Sequence, residues 1–311
     1  MQTNWDRRSF LKAGLASAAG FGLAASTGLF PNTIAWASGL QISPMPKRAL
    51  GKTGYDVSLF SLGGQATLEK PGREEDAMEI INRALDLGVN YIDTANQYGR
   101  GVSEEYIGKV MKYRRNEVFL ATKSHDHSYD GTMRLFEQSL KRLQTDYIDL
   151  YQHHYVSTYE KLDQIRSENG SRRAFEKLKE EGVIGHIGIT GHSSKILADA
   201  IEEYPYECVL ITLNPARSIM DDTDHLDRFF RLASEKGTGV IGMKVFGGGG
   251  LMSRGFTARQ LLSYVFSYPV STAVAGISVI PHLEENVRIA ASFEQLSEEE
   301  MARIRAIAAA G

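Results

Sequence analysis

The 311 residues are 42% hydrophobic and 23% charged, an ordinary globular balance, and carry a formal net charge of −3. The acidic sign argues against a nucleic-acid partner, which calls for a basic face. A single cysteine, Cys208, excludes an intrachain disulfide and a thiolate metal cluster. It lies in the β-rich run YECVLITLN and reads as a buried structural thiol.

Residues 1–37 do not read as part of the fold. DRRSFLK is followed by an uncharged stretch over 13–30, then Pro31 and AWAS. A basic start, an apolar middle and an A-x-A site make a secretory signal, with cleavage expected after Ala37. Arg7, Arg8, Ser9, Phe10, Leu11 and Lys12 resemble the twin-arginine type, which implies a Tat translocase as partner during export and a periplasmic or otherwise exported product. That route carries proteins folded beforehand, often with a cofactor, and the lack of a cysteine framework agrees with it. The alternative is an uncleaved anchor, but 18 weakly apolar residues are at the lower limit for a span. No stable span is expected after cleavage.

The remaining chain, 38–311, alternates strand-like and helix-like patterns. VSLFSLGG (57–64) reads as the first strand. EEDAMEIINRALDLG places Ala77, Ile80, Ile81, Ala84, Leu85 and Leu87 on one helical stripe, ended by Gly88. VNYID is a strand, and SEEYIGKVM a helix with Ser103 as N-cap. Then follow EVFLATK and TMRLFEQSLKRLQ, YIDLYQHH and SRRAFEKLKEEG, IGHIGIT and SSKILADAIEEY. CVLITLN and HLDRFFRLASEKG, GVIGM and TARQLLSYVFSY, STAVAG and HLEENVRIAASF complete the series. Eight strand–helix units without a linker predict a single α/β domain, a (β/α)8 TIM barrel. A doubly wound sheet would carry G-x-G-x-x-G after its first strand, and LGGQATL does not.

A barrel gathers its active site at the C-terminal ends of its strands. There stand Asp93, with Tyr98 just after it, Lys123, and the pair His153–His154. Strand alternation sends the two histidines to opposite faces, so at most one serves a given site. An ammonium near a phenol lowers its pKa and improves it as an acid–base near neutral pH. A buried lysine needs a partner, and Asp93 can supply it. The set suits proton delivery to a carbonyl, or removal from an alcohol, and lacks an activated nucleophile.

YIDTANQYGRGVSEEYIG (91–108), FLATKSH and DYIDLYQHH together resemble the aldo-keto reductase signature. RALGKTGYDVSLFSLGG resembles that family's N-terminal hairpin and first strand, and the likeness runs on to VIPHLEENVRIAA. The resemblance implies hydride transfer between a nicotinamide cofactor and a carbonyl or alcohol, with Tyr98 as general acid/base. It implies that Asp93 holds Lys123, that Lys123 tunes Tyr98, and that His154, five residues after Asp149, orients the substrate oxygen. His153 then faces the helix layer as a structural histidine.

The resemblance also implies a cofactor site. MKVFGGGG puts Met243, Lys244, Val245, Phe246, Gly247 and Gly249 along the nicotinamide and pyrophosphate, with Gly64 and Thr190 nearby. SVIPHLEEN puts Ser278, His282, Glu285 and Asn286 at the adenosine. Relatives that prefer NADP have an arginine four residues before that asparagine; here it is His282, so NADP and NAD both remain open. Thr190-Gly191 replaces the family's Ser-Asn and Leu210 stands at a usual glutamine, which marks a divergent branch.

His125 and Tyr155 are expected to line the substrate pocket, and the polar insertion 155–170 to form a wall or lid of it. HDH (125–127) raises the alternative of a metal-dependent hydrolase, but such barrels want H-x-H at the end of strand 1, and none is present; no metal is expected. A second alternative is a nucleotide-binding regulatory or partner protein with little turnover.

Overall fold

The computed structural model describes residues 44–222 and 224–310. The twin-arginine segment and the expected cleavage after Ala37 lie outside the described residues. Two short strands, β1 (Lys47–Ala49) and β2 (Asp56–Ser58), form an antiparallel hairpin. Eight parallel strands close a barrel: β3 (Phe60–Ala66), β4 (Tyr91–Asp93), β5 (Phe119–Ser124), β6 (Ile148–His153), β7 (Ile184–Gly191), β8 (Cys208–Thr212), β9 (Gly239–Met243) and β10 (Thr272–Ile277). The expected first strand, 57–64, is thus divided. Val57 and Ser58 belong to the hairpin, and the barrel strand begins at Phe60.

The barrel interior is filled. Tyr91, Phe119, Leu150, Cys208, Leu210, Ile241 and Val274 pack together inside it, and Leu50 and Val57 of the hairpin segment complete that cluster at the N-terminal end. Cys208 is fully buried there. A second, larger cluster joins the outer strand faces to the helices.

Helices α1 (Glu74–Asp86), α2 (Val102–Arg114) and α3 (Tyr129–Leu143) follow β3, β4 and β5. Ser103, expected to cap α2, lies inside its first turn, and its hydroxyl meets Thr94 Oγ1 at 2.8 Å. Two helices follow β6: α4 (Tyr159–Arg166) inside the polar insertion, and α5 (Ser171–Glu180). The insertion is therefore anchored, with Leu162 and Ile165 buried in the outer core. Helices α6 (Ser194–Glu203), α7 (Leu226–Lys236), the short α8 (Gly250–Ser253), α9 (Ala258–Phe266) and α10 (Ile280–Ala291) complete the ring. Helix α11 (Glu298–Ala310) follows, where the sequence reading assigned no element. Among the described residues no helix is long and apolar enough to cross a membrane.

Candidate active site

Alternation along β4, β5 and β6 decides what reaches the barrel mouth. Tyr91 lies inside, so Asp93 does too; Phe119 and Ala121 lie inside, so Lys123 does too. Leu150 lies inside β6, whereas Tyr151 belongs to the outer core. His153 faces outward: its ring stacks on Phe175 with centroids 4.0 Å apart, and Nδ1 meets Ser171 Oγ at 3.0 Å. His154, just past the strand, takes the inner side and meets the Tyr98 ring edge-on at 5.8 Å.

Lys123 is fully buried and its ammonium is doubly held, by Asp93 Oδ2 and by Thr94 O at 2.6 Å. The other Asp93 oxygen, Oδ1, accepts from Gln152 Nε2 at 3.1 Å. Gln152 is a buried member of this network that the sequence reading did not single out. Burial pushes the Asp93 carboxyl up and the Lys123 ammonium down, each against the pull of its partner.

Tyr98 sits half-buried at the start of a 3-10 turn, Tyr98–Gly101. Lys123 Nζ lies 5.0 Å from the centre of its ring, over the ring. Burial first, then the charges of Asp93 and Glu69, push the phenol well above its ordinary value. The net direction is thus opposite to the lowering expected from Lys123: burial and the Asp93 and Glu69 charges set it in this structure, while Asp93 and Thr94 hold the ammonium. His154 is held well below the imidazole range by burial, and further by Lys123 and by His125, His127 and His192. A neutral phenol and a neutral imidazole thus stand together, a proton donor beside a hydrogen-bonding ring.

A cleft of about 630 Å³ runs from this cluster along the ends of β3, β9 and β10. Asp93, Tyr98 and Gly64 line its inner end. Met243, Lys244, Val245, Phe246 and Gly249 line its middle, and Ser278, His282, Glu285 and Asn286 its far end. Gly247, in the same turn, has φ +56°, Gly248 +67° and Gly249 +94°, a run that L side chains resist. Added Cβ atoms at Gly249 and Gly250 would meet nothing within 4 Å, so this turn presents bare backbone. Lys244 Nζ donates to Gln65 Oε1 at 2.8 Å, which ties the expected phosphate-binding lysine to β3.

Thr190 is not among the residues lining the cleft. Its hydroxyl accepts from the Tyr155 N–H at 3.0 Å, and its carbonyl from the Val156 N–H at 2.7 Å. The same crossing accounts for Gly191: an added Cβ would sit 2.5 Å from Val156 O. Tyr155 itself is exposed, in a left-handed conformation at φ +58°, edge-on to His192 with centroids 5.0 Å apart. His125 is exposed and its Nδ1 meets Asn96 Oδ1 at 2.8 Å. His127 instead turns inward to His154 O at 3.0 Å, so the HDH histidines part company.

The family model described as the aldo/keto reductase family matches residues 59–261. The chain belongs to that family. An uncharacterised oxidoreductase of Bacillus subtilis is 30% identical over 306 residues, covering 83% of this chain and 94% of the relative. L-galactose dehydrogenase of Arabidopsis thaliana is 30% identical over 301 residues, covering 84% and 93%. Among solved structures, the holo form of an aldo-keto reductase from Bacillus halodurans superposes with a TM-score of 0.71 at 27% identity, covering 86% of this chain and 97% of that one. Membership supports an NAD(P)-dependent oxidoreductase acting on carbonyl or alcohol substrates.

Proposed function

We propose that this member of the aldo/keto reductase family is an exported oxidoreductase in which Tyr98 is the general acid/base. The observation that carries this reading is the meeting of His154 and the buried Lys123–Asp93 pair with Tyr98, which with Asp93 lines the inner end of one long cleft.

The cleft suits a nicotinamide nucleotide. Bare backbone at Gly249 and Gly250 suits a pyrophosphate, and the first turn of α10 adds a helix N-terminus to the same cleft. Met243 and the inner wall suit the nicotinamide; Glu285 and the buried Asn286 suit the adenosine. When bound, the nucleotide supplies or receives the hydride. In reduction, the neutral Tyr98 gives its proton to the carbonyl oxygen, which leaves as the alcohol hydroxyl. His154 orients that oxygen. Lys123, fixed by Asp93, faces the phenol and stabilises the phenolate that forms. Oxidation runs the same steps backward and needs the phenolate first, so it is favoured at high pH.

The far end of the cleft supports NAD at least as well as NADP, because its lining contains His282 and Glu285 and no arginine. Gly191, where relatives carry asparagine, supports a divergent branch. Arg7 and Arg8 support Tat export to the periplasm. A protein working there with no free nucleotide supply would carry its nucleotide bound; mass spectrometry of nucleotide released from periplasmic protein tests this. Empty, non-binding protein contradicts it. Arg7→Lys with Arg8→Lys should retain the protein in the cytoplasm, and undiminished export would remove the Tat reading. The function is tested by fluorescence titration with NADH and NADPH, followed by turnover on an aldehyde panel. Binding with turnover is expected; binding without turnover favours the regulatory alternative.

A further inference from the structure

Gln152 has no part in the proton path, yet it is fully buried in the barrel interior. It pairs in register with Lys123 on one side and with Gly188 on the other. An added Cβ at Gly188 would lie 2.8 Å from Gln152 Cγ, so the glycine leaves the room that this side chain fills. Its Nε2 donates to Asp93 Oδ1 at 3.1 Å, while its Oε1 has no protein partner. An ionised carboxylate only accepts, so charge decides which end of the amide faces Asp93. A half-partnered buried amide is costly, and an apolar residue of equal size would avoid that cost. What the apolar residue could not do is donate to the second carboxylate oxygen.

We infer that Gln152 is a positioning residue: its amide keeps the Asp93 carboxylate ionised and turned, so that the other oxygen stays on Lys123 and the ammonium stays against Tyr98. The inference rests on the proposed role of Tyr98 and Lys123. It also adds a requirement that the reaction scheme alone does not contain.

The test uses Gln152→Leu and Gln152→Met, which keep the volume and remove the donor, and Gln152→Glu. Carbon-13 titration of the Asp93 carboxyl, assigned with Asp93→Asn, needs no nucleotide and no turnover. In the apolar variants its midpoint should move to higher pH by about one pH unit. Their kcat should fall about tenfold, with substrate KM and nucleotide Kd within about twofold. Gln152→Glu should regain kcat as the pH falls, because a protonated carboxyl donates as the amide does. An unmoved Asp93 titration and an unchanged kcat–pH profile in a folded apolar variant would overturn the inference. If neither apolar variant folds, Gln152→Glu decides alone: a kcat that does not rise as the pH falls overturns it. A wild-type protein without turnover sinks the proposed function, while the Asp93 titration still decides the role of Gln152.

Discussion

The two sides of the barrel mouth are built on different principles. On the β4–β6 side, interior side chains at a strand end or one residue before it are locked by buried bonds: Lys123 to Asp93 and Thr94, Asp93 to Gln152. On the β7–β9 side, the site is made of backbone. Gly247–Gly249 turn with positive φ, Lys244 is held by Gln65 within the cleft lining, and Thr190 accepts from the Tyr155 N–H. Side-chain identity sets the chemistry on the first side, and chain path sets the binding surface on the second.

The largest effect should come from the first side. Tyr98→Phe removes the acid/base and nothing else from the fold, so kcat should fall by about 10²–10⁴ with unchanged thermal unfolding. A loss under about tenfold would move the acid elsewhere. Lys123→Met leaves a buried carboxylate uncompensated. Unfolding by denaturant should show a loss of about 3–5 kcal/mol, much of it returned by adding Asp93→Asn. Strict additivity of the two would mean that the pair is not coupled.

The adjacent histidines sharpen the comparison within one strand. His154→Gln should lower kcat while stability holds. His153→Gln should leave kcat near wild type and cost about 1 kcal/mol of stability, since its partners are Phe175 and Ser171. The reverse outcome would exchange their assignments. Burial also holds the His153 pKa well below the imidazole range. The unfolded chain therefore binds the proton first, and stability falls as pH drops below about 6.5. His153→Gln should flatten that fall in a pH series of melting temperatures.

The smallest effect should come from the second side. Gly249→Ala forces an alanine to φ +94° in open space, a strain of about 1–2 kcal/mol with no clash. Nucleotide Kd should weaken several-fold while kcat at saturation changes little. A kcat loss as large as that of Tyr98→Phe would erase the division between the two sides.

The first side was legible in the sequence through alternation and family resemblance together. Alternation says only that His153 and His154 face opposite ways; the resemblance to the family strand, whose histidine stands five residues after Asp149, picks His154. The eight-strand barrel was legible in the recurrence of strand-like and helix-like patterns. Gln152 escaped notice because an amide at an interior position carries no motif; only its distance to Asp93 distinguishes it. The partners that Thr190 and Lys244 take in the fold, Tyr155 and Gln65, are 35 and 179 residues away, which no local pattern reveals. Helix α4 was hidden because Leu162 and Ile165 are its only buried positions in an otherwise polar stretch.

The most direct measurement is nucleotide oxidation, followed by absorbance with an aldehyde panel, in wild type and Tyr98→Phe, with nucleotide Kd measured on both. Turnover by the wild type, a loss of about a hundredfold or more in the variant and equal Kd are the predicted result. Tight nucleotide binding by a wild type that reduces no aldehyde, or a variant as fast as the wild type, would contradict the account.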